Sequence, residues 1–310
     1  MATKKLLLPI QSANAYESVP GVTWLAEPWI VRGAITEIVG TQKEAGKTTW
    51  VLRGLVKSIL AGEPLLGKAC LKASVLYLSE QPPVVIRKDL EAAGLLHAPE
   101  LHVLQWHDIA AERWPVVAGK LRKDVASLEV GLVVIDTFAQ FALAHGESEN
   151  DSSATLAALR PAQLLTKDNV SVLLVRHERK VGGSTARAGR GSTAFGGGVD
   201  IMLRIRRRGN KHPTHRVIQA LSRFAETPEE TIVQLTDNGY APVEKDVDAL
   251  GLLILKALAD AQMTMQELID HAKVPRASIM RTVKDLEQRK LIVVSGGGKK
   301  GAPFKYGRAT

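Results

Sequence analysis

The stretch Glu37-Ile38-Val39-Gly40-Thr41-Gln42-Lys43-Glu44-Ala45-Gly46-Lys47-Thr48-Thr49 decides how this chain is read. The apolar run before it, residues 34–39, reads as a buried strand. After it, Val51, Leu52, Leu55, Val56, Ile59 and Leu60 recur at helical spacing. Strand, glycine-containing loop and helix are the setting a phosphate-binding loop requires. Glycines let the backbone wrap an anion, and inward N–H groups join the positive end of the helix. The nucleotide-binding set is Gly40, Ala45, Gly46, Lys47, Thr48 and Thr49. Lys47 is expected to reach the β- and γ-phosphates, and the Thr48 hydroxyl to sit on Mg²⁺. Five residues, Thr41 to Ala45, separate Gly40 from Gly46, one more than the usual spacing. Either the loop bulges by one residue or Thr41 takes the first position, so the role of Gly40 stays open.

Composition narrows the function classes. A length of 310 residues suits one large domain, or a large one with a small one. No segment approaches the roughly 20 apolar residues of a membrane span, and the apolar run in residues 1–9 is too short for a secretory signal. The single cysteine, Cys70, excludes an intramolecular disulfide and fits a reducing cytoplasm. A net charge of +9 points to a polyanionic partner. That charge is local. Residues 273–310 hold six Lys and four Arg against Asp285 and Glu287, a net of +8. A second basic run, residues 204–216, carries Arg204, Arg206, Arg207, Arg208, Lys211 and Arg216 with no acid. Two contact surfaces are expected.

Along the chain, residues 1–20 lack periodicity and read as a flexible arm. Trp24, Trp29 and Ile30 lead into the first strand. Residues 73–79 form a second strand ending at Glu80, Pro82 and Pro83 open a helix stopped by Gly94, and 101–105 is a short strand. A helical region over 115–128 precedes Gly131-Leu-Val-Val-Ile-Asp136-Thr137. This run suits a parallel strand buried on both faces, with Asp136 at its carboxyl end placed to hold Mg²⁺ through water. A helix capped by Asn150 or Asp151 leads to another buried strand, 170–177, which ends in His177. Residues 180–198 read as a mobile Gly-, Ser- and Arg-rich loop. Three β-like segments (200–206, 215–223 and 231–236) complete an α/β core with an antiparallel extension. Residues 21–240 form this core.

Residues 241–248 read as a linker, and 249–310 change character. A helix over 249–261 is followed by the capping box Thr264-Met-Gln-Glu267, which opens a second helix. In a third helix ending near Lys290, Ile279, Val283 and Leu286 form the buried stripe, while Ser278, Arg281, Lys284 and Gln288 face away. Strand 291–295, a Gly-rich tip with Lys299 and Lys300, and a return strand at 304–306 complete a winged helix. Arg281 and Lys284 are placed to meet a duplex groove, and Lys299 and Lys300 its phosphates.

Gly46-Lys47-Thr48-Thr49, Val75-Leu-Tyr-Leu-Ser-Glu80, Leu132-Val-Val-Ile-Asp136-Thr137, His177 with Lys180, and Arg190-Gly-Ser-Thr-Ala-Phe-Gly-Gly-Gly-Val-Asp200 together carry a resemblance. They are similar to the RepA-like branch of the RecA/DnaB-type ATPases, which includes ring-forming helicases of mobile elements. The resemblance covers roughly residues 20–240 and implies a RecA-like fold, ATP and Mg²⁺ as cofactors, and a homo-oligomer, typically a hexamer. It also implies catalytic roles for Lys47, Glu80, Asp136, His177 and Arg223. Glu80 would polarise the attacking water and His177 would sense the γ-phosphate. Arg223, in Leu221-Ser-Arg223-Phe, would act across a subunit boundary, with Arg204 and Arg206 as alternatives. Lys180, Arg187 and Arg190 would grip single-stranded DNA. The family often has His-His where this chain has Arg176-His177. Two functions follow: a ring-forming replicative-type helicase, or an ATP-gated DNA-binding regulator or recombination mediator that does not unwind DNA.

Overall fold

Six consecutive buried residues form the strand Ile35–Gly40, around which the larger part of the molecule is built. The computed structural model describes residues 10–143, 152–178, 197–209, 212–243, 249–259, 261–298 and 303–309. Lys180, Arg187, Arg190, Lys299, Lys300 and the first nine residues of the N-terminal arm lie outside them. Residues 10–20 of the arm are exposed apart from any core, with one short 3₁₀ turn at Ala13–Tyr16. The chain divides into two compact units, Met1–Val243 and Glu244–Thr310.

In the first unit, β1 (Trp24–Ala26) and β2 (Ile30–Val31) make a small hairpin ahead of β3 (Ile35–Gly40). The helix after the phosphate loop has three parts: α1 (Lys47–Trp50), a π segment (Val51–Val56) and α2 (Lys57–Ala61). Then come β4 (Ser74–Ser79), α3 (Pro83–Ala93), β5 (Leu101–Gln105), α4 (Trp114–Ser127), β6 (Val130–Asp136), α5 (Phe138–Ala142), α6 (Ser152–Thr166) and β7 (Ser171–His177). The strands β8 (Ile201–Arg207), β9 (His215–Ser222), β10 (Glu230–Thr236) and β11 (Gly239–Pro242) close the unit. Among the described residues nine strands form one sheet in the order β11-β10-β9-β8-β3-β7-β6-β4-β5. From β8 to β5 neighbours are parallel, and β9, β10 and β11 are antiparallel additions.

Both faces of the sheet are covered, which is why its central strands are continuously apolar. On β6, Leu132 and Val134 pack with α1–α3 on one face. Val133 and Ile135 pack with α4–α6 on the other. The strand β11 was not expected: it straddles the boundary at which the core was read to end and the linker to begin. A two-residue turn, Asp237-Asn238, folds it back on β10. Two side chains of the phosphate-loop helix hold this hairpin. Arg53 donates to Thr236 O at 2.8 Å and Asp237 O at 2.9 Å, and the Trp50 ring meets Tyr240 edge-on at 4.9 Å.

The second unit is a winged helix. Helices α7 (Ala249–Ala257), α8 (Met265–Ala272) and α9 (Arg276–Gln288) enclose Ile254, Leu258, Leu268, Ile279, Val283 and Leu286. A sheet of β12 (Met263–Thr264), β14 (Lys305–Arg308) and β13 (Ile292–Ser295) completes it. The expected capping box is formed: the Glu267 N–H donates to Thr264 Oγ1 at 3.3 Å, and the Thr264 N–H donates to Glu267 Oε2 at 2.6 Å. The stripe Ile279, Val283 and Leu286 is buried as the periodicity predicts, and β12 is an addition that two residues could not announce.

Candidate nucleotide site

Parallel strands deliver their carboxyl ends to one edge of the sheet, and register decides which side chains meet there. Gly40 of β3 lies level with His177 of β7, Val175 of β7 with Asp136 of β6, and Asp136 with Ser79 of β4. Glu80 follows Ser79 directly and donates its backbone N–H to Asp136 O at 2.9 Å. Residues from Gly40 to His177 are thereby assembled along one rim.

The loop after β3 turns through Lys43, which adopts a left-handed φ of 60°, and Ala45 N–H donates to Thr41 O at 3.2 Å. This turn absorbs the extra residue. Gly40 has a packing role: a Cβ there would stand 2.6 Å from Ile205 O and 2.7 Å from the Ala45 Cβ. Gly46 is left-handed, with φ 78°, and caps α1. Lys47 is buried; its Nζ donates to Gly40 O at 2.8 Å and Thr41 O at 3.3 Å and lies 3.4 Å from His177 Nδ1. Thr48 Oγ1 donates to Asp136 Oδ2 at 2.9 Å. Thr49 follows in α1, half-buried.

Asp136 has a further partner that the sequence did not announce. Tyr77, on β4 and fully buried, donates its hydroxyl to the same Oδ2 at 2.5 Å. Burial, reinforced by the carboxylate, raises the phenol well above its ordinary range, so it stays a donor. Burial also raises the Asp136 carboxyl, while the Tyr77 and Thr48 hydrogen bonds act the other way. Thr137 Oγ1 donates to Glu80 Oε2 at 2.5 Å, so the two acids are separately held.

Arg176 does not join this site. Strand alternation turns it to the opposite face from His177, where it forms a buried ion pair with Glu37. Glu178 accepts from Arg204 and from Thr41 Oγ1, and its backbone N–H donates to Gly40 O at 3.1 Å. Arg204 is thus engaged within its own chain. Arg223 lies at the other edge of the sheet, beyond the Ile201–Ser222 pair that is level with the start of β3. Its side chain is 62% exposed, with Nη1 3.6 Å from Asp200 Oδ1. It cannot serve the Lys47 of its own chain. Arg216 of the basic run is instead buried against the phosphate loop. On the winged helix, Arg281 and Lys284 are exposed on α9 beside Arg276, Ala277 and Met280.

A strand-loop-helix phosphate site at the carboxyl edge of a mostly parallel sheet, joined to a winged helix, defines a RecA-like P-loop ATPase fold with a winged-helix domain. The AAA-domain family matches residues 5–183, more than half of the chain, and the chain belongs to that family. The MarR family matches residues 246–301. The fold is similar to the crystal structure of the RadB recombinase, at 18% identity and TM-score 0.50, over 69% of this chain and 93% of that one. It is also similar to a KaiC-like protein of the hyperthermophilic archaeon Pyrococcus horikoshii OT3, at 13% identity and TM-score 0.51, over 70% of this chain and 94% of that one. At these identities the likeness is one of fold. No curated protein matches the sequence. Among the described residues no helix is long and apolar enough to cross a membrane.

Proposed function

We propose that this chain is an ATP-hydrolysing, DNA-binding motor of the RepA-like branch of RecA/DnaB-type ATPases, working in the cytoplasm. Its subunits would assemble head to tail into a ring, a hexamer in the simplest case. Single-stranded DNA would run through the ring, and duplex DNA would lie on the winged helix through Arg281 and Lys284 of α9 and Lys299 and Lys300 of the tip. The observation that carries the reading is the division of labour between sheet edges. Lys47, Thr48, Glu80, Asp136 and His177 share one edge, while Arg223 is exposed at the other, as a residue that completes a neighbour's site should be.

Each residue has a defined task. Lys47 and the loop N–H groups hold the phosphates. A phosphate would compete with Gly40 O and Thr41 O for the Lys47 ammonium, and His177, 3.4 Å from that ammonium, would register the exchange. The Glu80 carboxylate, fixed by Thr137, orients the attacking water. Arg223 of a neighbouring copy neutralises charge in the transition state. Thr48 and Asp136 would hold Mg²⁺, which when bound neutralises charge on the β- and γ-phosphates. The fit is chemical: the Thr48 hydroxyl and an Asp136 carboxylate oxygen meet at 2.9 Å. Such a sparse oxygen set suits an ion that keeps water and phosphate ligands.

A second reading is a recombinase-like, ATP-gated DNA-binding protein that does not unwind; it draws on the fold likeness to a protein named a recombinase. A forked-duplex unwinding assay separates the two when run beside ATPase rates with and without single-stranded DNA. The motor reading expects DNA-stimulated hydrolysis and unwinding, both lost in Lys47→Ala. DNA-stimulated hydrolysis without unwinding would favour the second reading, and turnover unchanged in Lys47→Ala would sink both.

A further inference from the structure

Two arginines outside the chemistry above grip the outer side of the phosphate loop. Arg207 ends β8, and its Nε donates to Glu44 O at 3.0 Å. Arg216 lies opposite it on β9, and its Nε donates to Ala45 O at 2.9 Å. Arg216 Nη1 donates to Pro213 O at 2.7 Å and to His215 O at 2.9 Å. The residue is only 8% exposed, so three backbone carbonyls replace water around a buried cation.

The consequence follows from peptide geometry. In a trans peptide the C=O of one residue and the N–H of the next point in opposite directions. With Ala45 C=O turned onto Arg216, the Gly46 N–H is turned away from β9. Consecutive loop N–H groups held in a common direction are what an anion-binding concavity needs. Gly46 accommodates this: its φ is 78°, and a Cβ there would stand 3.0 Å from Arg216 Nε. The guanidinium occupies the room a side chain would take. It also sets a permanent positive charge directly behind the loop.

We propose that Arg216 is a positioning residue for the nucleotide's phosphates, fixing the Ala45–Gly46 peptide in its binding orientation while Arg207 holds the peptide before it. The proposal rests on the nucleotide-site reading and deepens it. It makes the β8–β9 hairpin part of the phosphate site, although no residue of that hairpin need touch the substrate.

The test uses the full chain as wild type, Lys47→Ala, Arg216→Met, Arg216→Lys and Arg207→Gln. Calorimetric titration gives affinities for ATP and ADP, and tryptophan-fluorescence melts verify folding. Arg216→Met should weaken both nucleotides by roughly 10- to 150-fold, the range for a hydrogen bond to a charged group. Arg216→Lys keeps the charge but not the fork, so its loss should be intermediate. In steady-state kinetics KM should rise while kcat is nearly kept, because the loop contacts are made in ground and transition states alike. A folded Arg216→Met that binds ATP as tightly as wild type would overturn the proposal. Should that variant fail to fold, wild-type affinity in both Arg216→Lys and Arg207→Gln would overturn it equally. Wild-type protein that binds no ATP would refute the nucleotide-site reading itself, and the proposal with it.

Discussion

Tyr77→Phe deletes one hydroxyl from beneath the nucleotide site and leaves the ring, so apolar burial is unchanged. What is lost is a 2.5 Å hydrogen bond to a buried carboxylate. Asp136 keeps the Thr48 donor at 2.9 Å. A hydrogen bond to a charged group contributes about 1.5–3 kcal/mol. For a unit of this size each kcal/mol moves the melting temperature by about 2–4 °C, so the melt should fall by roughly 3–12 °C. No donor is orphaned, because the hydroxyl itself is removed, so the loss should not exceed that range. A second effect is functional. Asp136 would lose its fixed orientation, and the Mg²⁺ concentration giving half-maximal ATPase activity should rise, by about tenfold if 1.4 kcal/mol of the bond is expressed there. The assays are a tryptophan-fluorescence melt without nucleotide and a Mg²⁺ titration at saturating ATP. All five tryptophans lie in the first unit, so the melt reports the right part of the chain. An unchanged melt together with an unchanged Mg²⁺ requirement would show that Tyr77 does not hold Asp136.

Arg223→Ala should bind ATP but not hydrolyse it. Mixing it with Lys47→Ala should restore part of the activity, because some interfaces then pair an intact site with an intact arginine; no rescue in verified mixed oligomers would remove Arg223 from catalysis. Glu267 is held below the ordinary carboxylate range by the Thr264 N–H and then by its hydroxyl. Its contribution to the winged helix is therefore present above the unfolded Glu value, about 4.3, and lost as pH falls through the lowered folded value. Far-UV circular dichroism melts at stepped pH should show a transition, absent from tryptophan fluorescence, that weakens in acid for wild type and not for Glu267→Gln. Equal acid dependence in both would place the linkage elsewhere.

The fold was legible because its signals are periodic. Runs such as residues 131–136, short, β-branched and ending in an acid, suit strands buried on both faces, and the winged helix announces itself by a stripe and a capping box. The placement of Lys47, Thr48, Glu80, Asp136 and His177 along one rim was legible because each sits at a strand end or helix start, where parallel topology brings strand ends together. The missed features share another character: their partners are distant in sequence. Arg216 read as part of a charged surface, yet its acceptor, Ala45 O, is 171 positions away and is a backbone atom, which no pattern of side chains encodes. Tyr77 read as one more apolar strand residue. The signal was available, since a phenol in a fully buried strand needs a hydrogen-bond partner. Glu37 and Arg176 also left a signal, as opposite charges within two otherwise apolar strands. A buried pair of this kind costs about 3–5 kcal/mol to break by removing one partner, so neither charge is incidental.

The longer phosphate loop and its two external arginines are best understood as one feature. An extra residue gives the loop more conformations to lose when it closes on an anion, at about 1–2 kcal/mol for each residue whose backbone is fixed. Part of that cost is met inside the loop. The Ala45 N–H to Thr41 O bond closes the turn, and the bare Gly40 lets the Ala45 methyl and Ile205 O approach within a distance no side chain would allow. The remainder is met from outside, where Arg207 and Arg216 take the carbonyls of Glu44 and Ala45, the two residues before Gly46. A loop of ordinary length would have fewer carbonyls to restrain. Arg207 and Arg216, two members of the basic run, therefore restrain the longer loop from the neighbouring hairpin, and the Arg216 contact keeps the Gly46 N–H turned away from β9.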